Sequence, residues 1–120
     1  MAFGVSRRDL EEGTSVVSVA GELDLSTAPR LKWMLIEALE AGSTRLVVDL
    51  SHASFIDSTA LGVLVGIDRR LDPDGRLAIV CAREVVLQVF ELSGTDRVFA
   101  IHPTLEAALA HVRGHVARAG

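Results

Sequence analysis

The chain has one cysteine, Cys81, which excludes an internal disulfide, and no asparagine, which excludes N-glycosylation. Both absences suit a reducing compartment. Long hydrophobic runs are missing too: the longest uninterrupted apolar stretch, Ala60 to Ile67, falls far short of the roughly 20 residues that a membrane-spanning helix needs, so no membrane insertion is expected. The first residues, Met1 to Asp9, lack the basic segment followed by an apolar stretch that marks a secretory signal, and a cytoplasmic protein is expected. There is no excess of positive charge. Twelve Lys and Arg face 16 Asp and Glu, for a net charge of −4, which excludes a broad nucleic-acid or anionic-membrane footprint. Walker loops, Gly-x-Gly-x-x-Gly segments and Gly-x-Ser-x-Gly elbows are absent, so nothing signals a nucleotide, another cofactor or a serine hydrolase. With no Pro/Gly/Ser-rich linker, no repeat and no low-complexity tract, residues 1–120 read as a single domain, with residues 116–120 as a frayed tail.

What remains is globular: 49% of the residues are hydrophobic and 23% charged. Phe3 to Leu10 and Ser15 to Ala20 read as strands of a hairpin, followed by a polar loop at Gly21 to Leu25. Ser26 or Thr27 then caps a helix that has Pro29 in its first turn, Gly42 at its end and a stripe of Leu31, Met34, Leu35, Ala38 and Leu39. A strand over Arg45 to Leu50 and a turn precede a helix with Leu61, Leu64, Ile67 and Leu71 at three- and four-residue steps. Asp72-Pro73-Asp74-Gly75 turns into a strand over Arg76 to Ala82. Then come a helix over Arg83 to Leu92, a strand over Val98 to Ile101 and a last helix from Thr104, with Leu105, Ala108, Leu109, Val112 and Val116 as its stripe. This alternation predicts an α/β fold: a mostly parallel sheet with an antiparallel N-terminal edge strand, covered by four helices.

Chemistry concentrates at Phe55-Ile56-Asp57-Ser58-Thr59-Ala60-Leu61-Gly62, where the strand pattern yields to the helix pattern. Asp57 is a preferred N-cap, which puts Ser58 at the first helical position, where an anion meets free N–H groups and the positive end of the helix dipole. Gly62 and Gly66 follow Ser58 at one-turn intervals, leaving a strip of little side-chain bulk on which a partner's backbone fits closely. A plain capping serine with glycines that permit tight helix–sheet packing explains the same residues. Trp33 and Ile36 lie off the first helix's stripe and read either as a protein-binding surface or as a wider core face. His111 and His115, four apart, face one way but have no completing ligand, so no metal is expected; Cys81, inside an apolar strand, reads as a small hydrophobe.

Three motifs, Gly21-Glu22-Leu23-Asp24, Leu46-Val47-Val48-Asp49-Leu50-Ser51 and Phe55 to Gly62, make nearly the whole chain resemble a STAS domain, and more narrowly the bacterial anti-sigma factor antagonists, or anti-anti-sigma factors. The resemblance implies a non-enzymatic regulator. Its unphosphorylated form binds an anti-sigma factor that is also a serine kinase and frees the sigma factor; phosphorylation at the serine aligned with Ser58 abolishes binding, and a phosphatase restores it. Asp24, Asp57, Ser58, Thr59 and Gly62 are the implied partner-binding residues, with Asp24 contacting or positioning the kinase or serving as an ordinary turn aspartate. The family often has Ser-Ser-Gly or Ser-Gly after the aspartate; Ser58-Thr59-Ala60 here makes Thr59 a second candidate acceptor. The alternative is a STAS adaptor subunit of a transporter or stress-signalling assembly without a phosphorylation cycle.

Overall fold

The computed structural model describes residues 2–11 and 13–114; the expected tail at 116–120, His115 and Val116 lie outside them. Strands β1 (Gly4–Asp9), β2 (Thr14–Leu23), β3 (Arg45–Ile56), β4 (Arg76–Val80) and β5 (Ala100–His102) form one sheet in the order β1-β2-β3-β4-β5. Among the described residues only the β1–β2 pair is antiparallel. Each parallel step crosses over through a helix: α1 (Ala28–Glu40), α2 (Ser58–Arg70) and α3 (Glu84–Ser93), the last followed by a 3-10 turn at Thr95–Arg97. α4 (Leu105–Val112) closes the described chain.

Alternation along the strands sorts the core into two layers. Val17, Val19, Leu46, Val48, Leu50 and Ile79 point to one face and pack with Leu31 and Leu35 of α1, Leu64 and Ile67 of α2, and Val86 and Phe90 of α3. Val16, Val47, Ala78 and Val80 point to the other, under Ala108, Leu109 and Val112 of α4. Three helices therefore cover one face of the sheet and a single helix the other.

Two strands run further than the sequence pattern indicates. β2 continues through Gly21 and Glu22 to Leu23, so the expected polar loop begins only at Asp24. β3 continues past Leu50 to Ile56 and enters α2 through Asp57 without an intervening turn. The register explains why alternation fails there: Ser18 to Ala20 opposes Asp49 to His52, and Gly21 to Glu22 opposes Ala53 to Phe55, so β3 carries an extra residue at two places. Asp49 serves the first irregularity by accepting hydrogen bonds from the Ser51 N–H and hydroxyl. Other ends shift by smaller amounts; β4 stops at Val80, and β5 starts two residues later than the pattern suggests, because Thr95–Arg97 and Val98 are wound into a 3-10 turn and its cap.

Candidate partner-binding site

The β2–β3 register sets the site. Leu23 pairs with Ile56, and the Asp57 N–H donates to the Leu23 carbonyl at 3.2 Å, so the chain leaves both strands side by side, with Asp24 next to Asp57. The sequence-implied neighbours are thus brought to one end of the sheet.

Asp57 is the N-cap of α2: its Oδ1 accepts from the Thr59 N–H at 2.9 Å and the Ala60 N–H at 3.3 Å. Ser58 is the first helical residue and is exposed, whereas Ala60, two positions on, is fully buried. This refines the expected anion site. Two of the free first-turn donors are already satisfied by the Asp57 carboxylate, so a phosphate on Ser58 meets a negative charge where the sequence alone suggests open N–H groups.

Asp24 is bound into its own turn. Its Oδ1 accepts from the Ser26 N–H at 2.9 Å, the Ser26 hydroxyl at 2.8 Å and the Thr27 N–H at 3.2 Å. The Ser26 hydroxyl above all, with the two backbone donors, holds this half-buried residue's carboxyl below its usual range. Thr27 occupies the N-cap position of α1, yet its hydroxyl donates to the Glu22 carbonyl and accepts from the Asp24 N–H, each at 2.8 Å, rather than capping the helix. The loop is thereby a hydrogen-bonded knot that fixes the Asp24 carboxylate through its Oδ1.

Gly62 and Gly66 are exposed, and a Cβ at either would meet nothing within 4 Å. Helix–sheet packing does not require them. They leave roughly 12 Å of α2 surface, measured from Ser58, with little bulk, beside a groove of about 390 Å³ between α1 and α2 lined by Lys32, Ile36, Thr59, Gly62, Val63 and Gly66. The two readings of α1 divide between its residues: Trp33 is 64% exposed on the helix, while Ile36 is buried in the core and forms part of the groove floor. Two apolar residues that sequence reasoning passed over, Leu25 at 73% and Phe55 at 45% exposure, flank the same end of the sheet. Phe55 is hidden in the sequence by the irregular end of β3, and Leu25 by its place in a segment read as polar.

Other candidates go elsewhere. Cys81 is buried, and burial pushes its thiol up. His52 is exposed on β3, and His111 faces His102 of β5. No group of three or more metal-binding side chains is assembled among the described residues, and no helix among them is long and apolar enough to cross a membrane.

Residues 8–108 match the STAS domain family. Over 102 residues the chain is 33% identical to the anti-sigma-F factor antagonist RsfB of Mycobacterium tuberculosis, an alignment covering 85% of this chain and 84% of that protein. This chain belongs to the STAS-domain family of anti-sigma factor antagonists. The structure of an anti-sigma factor antagonist from Mycobacterium paratuberculosis superposes on this STAS domain with a TM-score of 0.87 at 32% identity, covering 93% of this chain and 95% of that one. The anti-sigma factor antagonist SpoIIAA in its unphosphorylated form superposes with a TM-score of 0.78 at 26% identity, covering 92% and 97%.

Proposed function

We propose that this STAS domain is a non-enzymatic switch that works in the cytoplasm. In its unphosphorylated form it binds an anti-sigma factor that is also a serine kinase and so frees the sigma factor. Phosphorylation of Ser58 ends the interaction, and a serine phosphatase resets it; Thr59, part-buried at the groove, is the second choice of acceptor. Asp24, Asp57, Ser58, Thr59 and Gly62 form the partner-binding surface, extended by the groove between α1 and α2.

One observation carries this reading: an exposed hydroxyl at the first position of α2, beside a carboxylate that already occupies the Thr59 and Ala60 N–H groups. Phosphorylation adds about −1.5 to −2 charges there at neutral pH. On the free protein, water solvates that charge. Under a docked partner the phosphate is desolvated next to Asp57, and an unpaired buried charge costs several kcal/mol, whereas a helix dipole returns only about 0.3–1 kcal/mol. The complex dissociates while the fold persists. The relatives support the reading through their names as anti-sigma factor antagonists and through SpoIIAA, whose structure is that of its unphosphorylated form.

The test is incubation with a cognate anti-sigma kinase and ATP, read by intact mass and fragmentation, together with affinity measurements. One phosphoryl group on Ser58 is expected, Ser58→Ala should bind without being labelled, and Ser58→Asp should bind at least about tenfold more weakly, equivalent to about 1.4 kcal/mol. A Ser58→Asp variant with full affinity overturns the switch. A chain labelled at neither Ser58 nor Thr59 overturns the phosphorylation cycle in favour of the adaptor role.

A further inference from the structure

On the face of the sheet opposite α2, two imidazoles meet. His102 of β5 and His111 of α4 have ring centroids 5.2 Å apart with planes tilted by 48°. His102 Nε2 is buried and has no hydrogen-bond partner among the described residues; were it to carry a hydrogen, that N–H would have no acceptor. His111, half-buried, lies on α4 between Leu109 and Val112, which with Ala108 dock on Val16, Val47, Ala78 and Val80.

The charged and titratable groups that act on His111 from the elements beneath it are His102 from β5 and Arg76 from β4. Neither supplies negative charge. On α4 itself Glu106 lies in the first turn, and Arg113, just past the helix, is engaged by Glu11. Burial first, then His102 and Arg76, hold His111 below the ordinary histidine value. A protonated His111 would thus be a partly desolvated cation facing a second imidazole and a guanidinium.

We propose that His102 and His111 form a proton-sensitive latch on α4: the neutral rings, in tilted contact, keep the helix docked, and protonation of His111 loosens α4 from β4 and β5. Loosening uncovers the Val16, Val47, Ala78 and Val80 face, which no other described helix covers. The latch is separate from Ser58, since α2 packs on the other face, and it makes the exposure of that second face respond to acidification.

The test is amide hydrogen exchange by NMR on the full chain at pH 7.5 and 5.5, corrected for intrinsic exchange, comparing Ala108, Leu109 and Val112 with Leu64 and Ile67 of α2. Protection of α4 relative to α2 should fall by about tenfold at the lower pH, because the undocked helix takes up the His111 proton more readily than the docked one. His111→Phe keeps an apolar ring in the seam and should reduce that change to less than about threefold, because the displaced proton is gone. An unchanged ratio in the native chain, or an equal loss in His111→Phe, overturns the latch. Should His111→Phe not fold, the native chain decides: loss of α4 protection that follows protonation of the His111 imidazole across a pH series upholds the proposal, and loss that does not follow it overturns it.

Discussion

Asp57 carries two roles that a single substitution separates. As N-cap it satisfies the Thr59 and Ala60 N–H groups, so Asp57→Ala should cost about 0.5–2 kcal/mol in chemical denaturation. Under the proposed switch the same carboxylate also repels the phosphate. Asp57→Asn, which retains a capping oxygen, should lose little stability yet narrow the affinity gap between Ser58→Ala and Ser58→Asp backgrounds. A gap of the same size whether or not Asp57→Asn is present would show that the carboxylate charge takes no part. These residues were legible in the sequence because capping is local: an aspartate followed by helical periodicity fixes its own geometry. Ile36 was not, because whether a residue beside the stripe is buried depends on where α2 packs, and the α1 sequence does not contain that. The exposed Leu25 escaped for the same reason, since its proximity to Ser58 follows from strand register, whereas Phe55 is near Ser58 in sequence and only its exposure was hidden by the irregular end of β3.

At the scale of elements, α2 departs from its own best stability. Gly62 and Gly66 lie in mid-helix facing open space, and glycine in such positions is less favourable than alanine by about 0.5–1 kcal/mol. Gly62→Ala should therefore stabilise the free protein by that amount, while Gly62→Leu should leave the fold intact and weaken partner binding. Undiminished binding by Gly62→Leu would remove the bare helix strip from the interface. Gly21 is the opposite case. It sits at φ +90° beside a register shift, and a Cβ there would lie 3.1 Å from the Phe3 Cα and 3.2 Å from the Ala2 carbonyl. Gly21→Ala should destabilise by about 1–3 kcal/mol or more, seen as a lower denaturation midpoint with a largely unchanged slope. From sequence this glycine signals a loop and places the end of β2 at Ala20, whereas the strand runs to Leu23. Its positive φ is real, but it is absorbed inside a strand, where β3 supplies the extra residues that keep Leu23 opposite Ile56.

At the scale of the whole molecule, the order of elements was enough to give the architecture: each crossover between neighbouring parallel strands has one short helix to make it, which leaves few other topologies. The second face of the sheet was less legible, because the meeting of His102 and His111 depends on how α4 returns across β4 and β5. That face shapes the acid response. His111 is held low by burial, so the unfolded chain binds its proton more readily, and stability falls as pH drops below about 6.5 towards the folded value. Asp9, Glu11 and Asp24 are also held low, chiefly by the Ser15 hydroxyl, by Arg113 and by the Ser26 hydroxyl respectively. Their contribution is complete above their ordinary values of 3.8 and 4.5 and is lost only as pH falls through the lower folded values. The two losses therefore begin at different pH values, that of His111 first. Urea midpoints measured from pH 8 to pH 3 should fall in two steps, one beginning near pH 6.5 and one below about pH 4.5. His111→Phe should abolish the upper step and leave the lower one, whereas a single step below pH 4.5 in the native chain would show that burial of His111 has no energetic consequence.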